Sequence, residues 1–227
     1  MVLENNKKEK AVLILSGGMD STTLLYDIVR LYDVYAISFN YNQRHKRELE
    51  MAQKTCQKLN VNHKIVDISS INEILKGSSL TSDNIATPIG KYNEENMKAT
   101  VVPNRNMILL SLAAGYAISI DIKKLFYGAH AGDHAIYPDC RHEFVIKLAE
   151  ALKICDWNPI YLIAPYLHKD KGDIAIIGKK LNVDYSLTYS CYEGKEIPCG
   201  KCGACNERAE AFAKAEMEDP LLKMHQE

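Results

Sequence analysis

The sequence has no excess of charge of either sign. Its 28 Lys and Arg stand against 29 Asp and Glu, a formal net charge of −1. The broad positive field that draws polyanions is therefore missing, which argues against a nucleic-acid partner. No apolar run approaches the roughly 20 residues that a membrane-spanning helix needs. No signal-peptide apolar core stands near the N-terminus either, where Glu4 to Lys10 is a charged segment. The expectation is a chain of the reducing cytoplasm with no membrane partner. Internal repeats and low-complexity tracts are absent, and 227 residues suffice for one sizeable core with an appended element. Also missing is the Gly-Lys-Ser/Thr of a Walker A loop, so any phosphate site must be built in another way.

What is present is Ser16-Gly17-Gly18-Met19-Asp20-Ser21. It follows the apolar run Ala11 to Leu15 and precedes Thr22 to Val29, where apolar residues recur at helical spacing. The run reads as a buried parallel strand and the sequel as a helix with Asp, Ser and Thr at its start. Strand, tight turn and helix N-terminus together make an anion site. Two glycines let an anion approach the backbone, and the free N–H groups and the helix dipole face it.

Val34 to Phe39 reads as a second strand, Lys46 to Leu59 as a helix and His63 to Asp67 as a third strand. Gly77 to Thr100 has no clear period and reads as a long functional loop or lid, or as disordered chain. A buried helix is expected over Met107 to Ala117, a fourth strand over Leu125 to Gly128, a helix from Glu143 to Leu152, a fifth strand over Ile160 to Pro165 and a helix from Lys169 to Leu181. Alternation of strand and helix predicts an α/β fold, a doubly wound parallel five-stranded sheet whose ligands sit beyond the carboxyl ends of the strands. That rule places Arg44 and His45 beside the glycine turn, and His130, Asp133, Asp139 and Arg141 in a polar stretch after the fourth strand. Arg105 opens the buried helix and needs an anionic partner there, a phosphate or a carboxylate.

Seven cysteines without a secretion signal favour metal over disulfides. Cys191, Cys199, Cys202 and Cys205 are spaced C-x7-C-x2-C-x2-C, with Gly200 and Gly203 permitting tight turns. Four thiolates at such spacing fit a closed tetrahedral zinc of structural type, ahead of a helix from Asn206 to Lys214. An iron–sulfur cluster is the chemical alternative. The domain division expected is 1–185 for the α/β part and 186–227 for the C-terminal zinc knuckle and helix. Cys56, Cys140 and Cys155 are expected as small buried side chains.

Five ordered motifs carry a resemblance over nearly the whole chain. They are SGGMDSTT at 16–23, YNQRH at 41–45, VPNRN at 102–106, YPDCR at 137–141, and SCY at 190–192 with CGKCGAC at 199–205. The first resembles the SGGxDS loop of the PP-loop ATP pyrophosphatases, and the set is similar to the 7-cyano-7-deazaguanine synthase family. Where some members carry a Cys-Glu-Thr-Asp-type loop before the YPDCR motif, this chain has His130-Ala131-Gly132-Asp133-His134.

The resemblance implies a Rossmann-like fold of the adenine nucleotide alpha hydrolase type. It implies ATP-dependent conversion of 7-carboxy-7-deazaguanine and ammonia into the nitrile, through an acyl adenylate and an amide, for queuosine or archaeosine. It also implies ATP, Mg²⁺ and one structural Zn²⁺, and commonly a homodimer. Leu15, Ser16, Gly17, Gly18, Met19, Asp20, Ser21, Thr22 and Thr23 would form the nucleotide loop, with Asp20 ordering the loop or holding Mg²⁺. Asp20, Arg44, Arg105, Asp133 and Arg141 would carry the catalysis, and His130, Asp133, Asp139 and Arg141 would bind substrate. A rival reading keeps the loop and changes the substrate: a tRNA-thiolating enzyme, for which Cys140 is the only persulfide candidate.

Overall fold

The computed structural model describes residues 8–82, 84–90, 97–133 and 137–223. Five strands form one sheet: β1 Glu9–Ile14, β2 Tyr32–Asn40, β3 Asn62–Asp67, β4 Lys124–Phe126 and β5 Tyr161–Ile163. All pairings are parallel and the order is β3-β2-β1-β4-β5. This is the doubly wound α/β sheet that the alternation of elements predicts. The strand order reverses beside β1, the switch point where such sheets open a ligand crevice.

β1 is central, and its apolar run is fully buried at Ala11, Val12 and Leu13. Period-two alternation sends Val12 to one face and Ala11 and Leu13 to the other, so each face needs its own helical cover. The Val12 face packs under α3 (Arg105–Ser119), through Leu110, Ala113 and Ala117, and α4 (His142–Leu152), through Val145 and Leu148. The opposite face packs under α1 (Met19–Ile28), α2 (Arg47–Leu59) and α5 (Lys171–Lys180), through Leu24, Leu25, Ala52, Cys56 and Ile174.

After α5 the chain returns along the glycine turn, where Tyr189 N–H donates to Gly17 O at 3.0 Å. It then forms the four-cysteine element, α6 (Gly203–Lys214) and the short α7 (Pro220–Lys223). Phe212 and Ala211 of α6 pack on Tyr185, Ala175 and Met19. Cys191, Cys202 and Ala204 pack on Met51 and Tyr189. Helix α6 starts at Gly203, three residues before the Asn206 expected, so Cys205 stands in its first turn. Cys155 corrects a second expectation. It is exposed beyond the end of α4, with only a 3.4 Å contact to Leu152 O. Part of the Gly77 to Thr100 loop, residues 83 and 91–96, lies outside the described residues. The rest leans on the four-cysteine element, with Ile89 bridged to Cys202 and Gly90 N–H donating to Lys201 O at 2.8 Å.

Candidate active site

The turn between β1 and α1 is a backbone cradle. Gly17 has φ +93°, and a Cβ there would lie 1.9 Å from Glu48 O, so conformation and space both demand glycine. Gly18 is the N-cap of α1, and no side chain caps the helix. Its first N–H groups thus have no side-chain acceptor and face the crevice with the positive end of the dipole. The cradle is braced from within: Ser16 Oγ and Ser21 Oγ lie 2.9 Å apart, and Gly18 N–H donates to Ser16 Oγ at 3.2 Å.

Of the residues expected in the loop, Leu15, Ser16, Gly18, Asp20 and Ser21 line a cleft of about 230 Å³. Met19 and Thr23 point the other way. Met19 packs among Tyr185 and Phe212, and Thr23 Oγ1 is 2.7 Å from Met19 O and 2.8 Å from Tyr185 OH. Thr22 is fully buried with Oγ1 unpartnered.

The cleft extends across the carboxyl ends of β2 and β4. Beyond β2 the chain turns through Tyr41 to His45, where Gln43 accepts from Tyr41 N–H at 3.0 Å and donates to Phe39 O at 3.2 Å. This turn puts Tyr41, Gln43 and His45 in the cleft, with Glu48 from the start of α2. Arg44 is not among the lining residues. Its guanidinium holds the long loop, donating to Ser82 O at 2.9 Å and Thr87 Oγ1 at 3.0 Å.

Arg105, at the start of α3, does line the cleft, 3.4 Å from Tyr41 OH and stacked over the Tyr137 ring at 5.6 Å. Asp139 caps the same helix, accepting from Asn106 N–H at 2.9 Å. Arg141 is exposed at the N-cap of α4, outside the cleft lining. The side chain of Asp133 lies outside the described residues. His130 is buried; its Nδ1 accepts from Gly132 N–H at 3.1 Å, which leaves Nε2 as the N–H that faces Asp20 Oδ2 at 3.6 Å.

Two charged residues were not singled out from the sequence. Lys171, first residue of α5, reaches the cleft between Asp20 (3.6 Å) and Glu207 (2.8 Å). A lysine in the first turn of a helix opposes the dipole, and that placement was the available signal. Glu48 lies over the cradle, with Oε2 3.6 Å from His45 Nε2 and Oε1 near Gly18. Burial pushes its carboxyl up to about 8, with Arg105 and Lys171 opposing and Asp20 reinforcing. Burial likewise pushes His45 down to about 3, aided by Arg105, so its imidazole is neutral at pH 7.

The far end is aromatic. Tyr127, Tyr137 and Tyr192 line it with Asn106 and Cys140. Cys140 Sγ is 3.1 Å from Asn106 Nδ2 and 3.3 Å from Tyr127 OH. A donor-rich anion cradle thus opens into a slot suited to a flat ring, with Arg105 and Lys171 supplying positive charge between them.

Asp20 Oδ1 is buried and unpartnered, which suits a carboxylate awaiting a cation. The Sγ atoms of Cys191, Cys199, Cys202 and Cys205 lie within 4.8 Å of one another, with Cys199 and Cys205 4.0 Å apart. Four sulfurs so gathered are able to hold a metal ion.

Fold and site define a doubly wound α/β protein with a glycine-lined cradle at the switch point of its sheet. The family model of the queuosine biosynthesis protein QueC matches residues 10–216, and the chain belongs to that family. A 7-cyano-7-deazaguanine synthase of Methanoregula boonei is 61% identical over 213 residues, covering 93% of this chain and 98% of that protein. One of Pseudoalteromonas atlantica is 55% identical over 214 residues, covering 94% and 98%. Among solved structures, the U34-tRNA thiolase NcsA from Methanococcus maripaludis with its 4Fe-4S cluster aligns with TM-score 0.53 at 17% identity, over 97% of this chain and 68% of that one. That likeness is one of fold.

Proposed function

We propose that the chain converts 7-carboxy-7-deazaguanine and ammonia into 7-cyano-7-deazaguanine at the expense of two ATP. The observation that carries this reading is the junction of an uncapped, glycine-lined helix N-terminus with an aromatic slot, in a chain 61% identical to a protein of that name. The cradle of Ser16, Gly17, Gly18 and Ser21 holds the pyrophosphate end of ATP. The substrate carboxylate attacks the α-phosphorus and pyrophosphate leaves. Ammonia then attacks the acyl carbon and AMP leaves, giving the amide. A second ATP activates the amide oxygen; loss of the nitrogen's protons and of AMP gives the nitrile. A carboxylate oxygen leaves poorly and AMP leaves well, so the protein's task is positioning and charge neutralisation.

Arg105 and Lys171 neutralise phosphate and carboxylate charge, and the tyrosine-lined slot takes the deazapurine. Asp20 would hold Mg²⁺, which when bound neutralises phosphate charge. Arg44 acts by fixing the long loop, while Asp139 positions α3 and Arg105 with it. The sulfur spacing supports one zinc ion, since a cluster of several irons holds its thiolates farther apart than a single ion does. The zinc would lock the SCY segment, and with it Ser190 and Tyr192, against the site. A soluble cytoplasmic enzyme of small molecules, acting as a homodimer, fits this reading.

The test is to follow products with labelled ATP, the acid and ammonium. Two AMP and two pyrophosphate per nitrile are expected. ADP with orthophosphate, or ATP left intact beside the acid, would sink the assignment. Cys140 in the cleft is what a thiolating enzyme would need. Cys140→Ser separates the readings, since nitrile synthesis should tolerate that change better than sulfur transfer.

A further inference from the structure

Ammonia in neutral water is mostly ammonium, which has no lone pair to offer, so amide formation needs a group that takes a proton at the site. Three features single out Glu48. It lies over the glycine cradle, its Oε1 3.8 Å from where a Cβ of Gly18 would stand, and it lines the same cleft as Arg105 and Lys171. It sits in the first turn of α2, where the dipole would ordinarily hold a carboxylate ionised, yet burial prevails. Its neighbour His45 is buried, lines the cleft, and has an unpartnered Nδ1.

We propose that Glu48 is the general base that converts bound ammonium into the ammonia that attacks the acyl adenylate, with His45 as its positioning residue. The inference rests on the reaction proposed above. One ammonium proton passes to a Glu48 oxygen. The freed lone pair forms the C–N bond, and the C–O bond to the phosphate breaks with its electron pair leaving on AMP. The second proton leaves the new nitrogen with AMP. Groups facing Glu48 are His45 beside it, Asp20 at the start of α1, Arg105 of α3 and Lys171 of α5. The acting form is the ionised carboxylate, about a tenth of the molecules at pH 7 for a group pushed up to about 8, and its raised affinity for a proton brings it close to ammonium as a proton acceptor.

The test uses Glu48→Gln, an isostere of the protonated form. At pH 7 and fixed total ammonium, amide formation is expected to fall about 100-fold. The deficit should shrink above about pH 8, where Glu48 is fully ionised and free ammonia still increases. Hydroxylamine, neutral at pH 7, should restore hydroxamate formation to within a few-fold of wild type, and Glu48→Asp should retain part of the ammonium-dependent rate. A deficit of equal size at every pH, or no rescue by hydroxylamine, overturns the proposal. So does loss by Glu48→Gln of acid-dependent exchange of labelled pyrophosphate into ATP, which would place Glu48 in the phosphate site itself. Absence of that exchange in the wild type would instead overturn the underlying reaction.

Discussion

The carbonyl oxygen of Glu48 occupies the place that a side chain on residue 17 would need. A Cβ on Gly17 would stand 1.9 Å from it, at a φ of +93°. The first turn of α2 therefore sets the shape of the glycine turn. Gly17→Ala should push the turn away from α2, cost about 1–3 kcal/mol of stability, and lower acid-dependent pyrophosphate exchange at least tenfold. Gly115→Ala is the control. It lies exposed in α3 with nothing within 4 Å of a Cβ, and should be neutral or stabilising by about 0.5–1 kcal/mol. Thermal melts with the exchange assay check both.

Arg208 of α6 makes a two-pronged pair with Asp219, Nε to Oδ2 at 2.6 Å and Nη2 to Oδ1 at 2.9 Å, and also donates to Thr188 Oγ1 at 2.7 Å and Tyr185 O at 3.1 Å. Arg208 is buried and the Asp219 side chain is only 9% exposed, so removing one leaves a charge without its partner. Asp219→Ala should cost about 3–5 kcal/mol, a fall in Tm on the order of 10 °C for a chain of this size. Arg208→Met with Asp219→Leu should cost clearly less than either single change, as measured by urea unfolding. Equal costs would show that packing, not the charge pair, holds this corner.

The parts of this fold visible in the sequence were those with a local cause. Ala11 to Leu15 is apolar because β1 is covered on both faces, and the glycine pair marks the turn because no other residue fits at position 17. The cysteine cluster was visible because its spacing is local; Cys155 misled because burial is not. Site geometry was harder. Arg44 and Arg105 look alike in their motifs, yet Gln43 folds the first turn so that Arg44 faces the long loop while His45 and Glu48 face the cleft. Lys171 arrives from far along the chain after the glycine turn, and only the sheet's topology brings it beside Asp20. Such long-range placements leave no periodic trace, although a lysine at a helix start hints at one.

Different places for the arginines imply different phenotypes. Arg105→Gln removes the positive charge that lines the cleft and should cut turnover on the order of 100-fold, a loss borne by kcat. Arg44→Gln frees the loop from Ser82 and Thr87 and should act mainly on KM for the acid. Arg141→Gln, at the exposed start of α4, should be the mildest of the three. Steady-state kinetics with the acid varied would show the order. An Arg141 loss as deep as that of Arg105 would return it to the catalytic set.

The four-cysteine site should hold one zinc ion per chain and neither iron nor acid-labile sulfide, by elemental analysis of protein prepared without oxygen. Cys199→Ser should lose the metal and, with it, the order of the segment carrying Ser190 and Tyr192. Activity should fall while the sheet remains, so far-ultraviolet dichroism changes little. Stoichiometric iron with sulfide would replace zinc by a cluster.

Glu48 also makes a pH-dependent contribution to stability whose sign is fixed. Its carboxyl titrates near 8 in the folded chain and near 4.3 when unfolded, so folding favours the protonated form. The stability it supplies is complete below about pH 4 and is lost as pH rises towards 8, at up to about 1.4 kcal/mol per pH unit across that window. Glu48→Gln keeps the neutral form at every pH. The variant should therefore melt near the wild type at pH 5 and above it at pH 8 and beyond, with the gap widening steadily between. His45, held down to about 3 by burial, works in the opposite sense: its contribution is present above about pH 6.5 and is lost as acid protonates it. His45→Gln should thus narrow the acid loss without touching the alkaline one. Melting curves of both variants from pH 4 to 9 separate the two groups, and a Glu48→Gln gap that stays constant across that range would mean Glu48 titrates in the folded chain as it does in water.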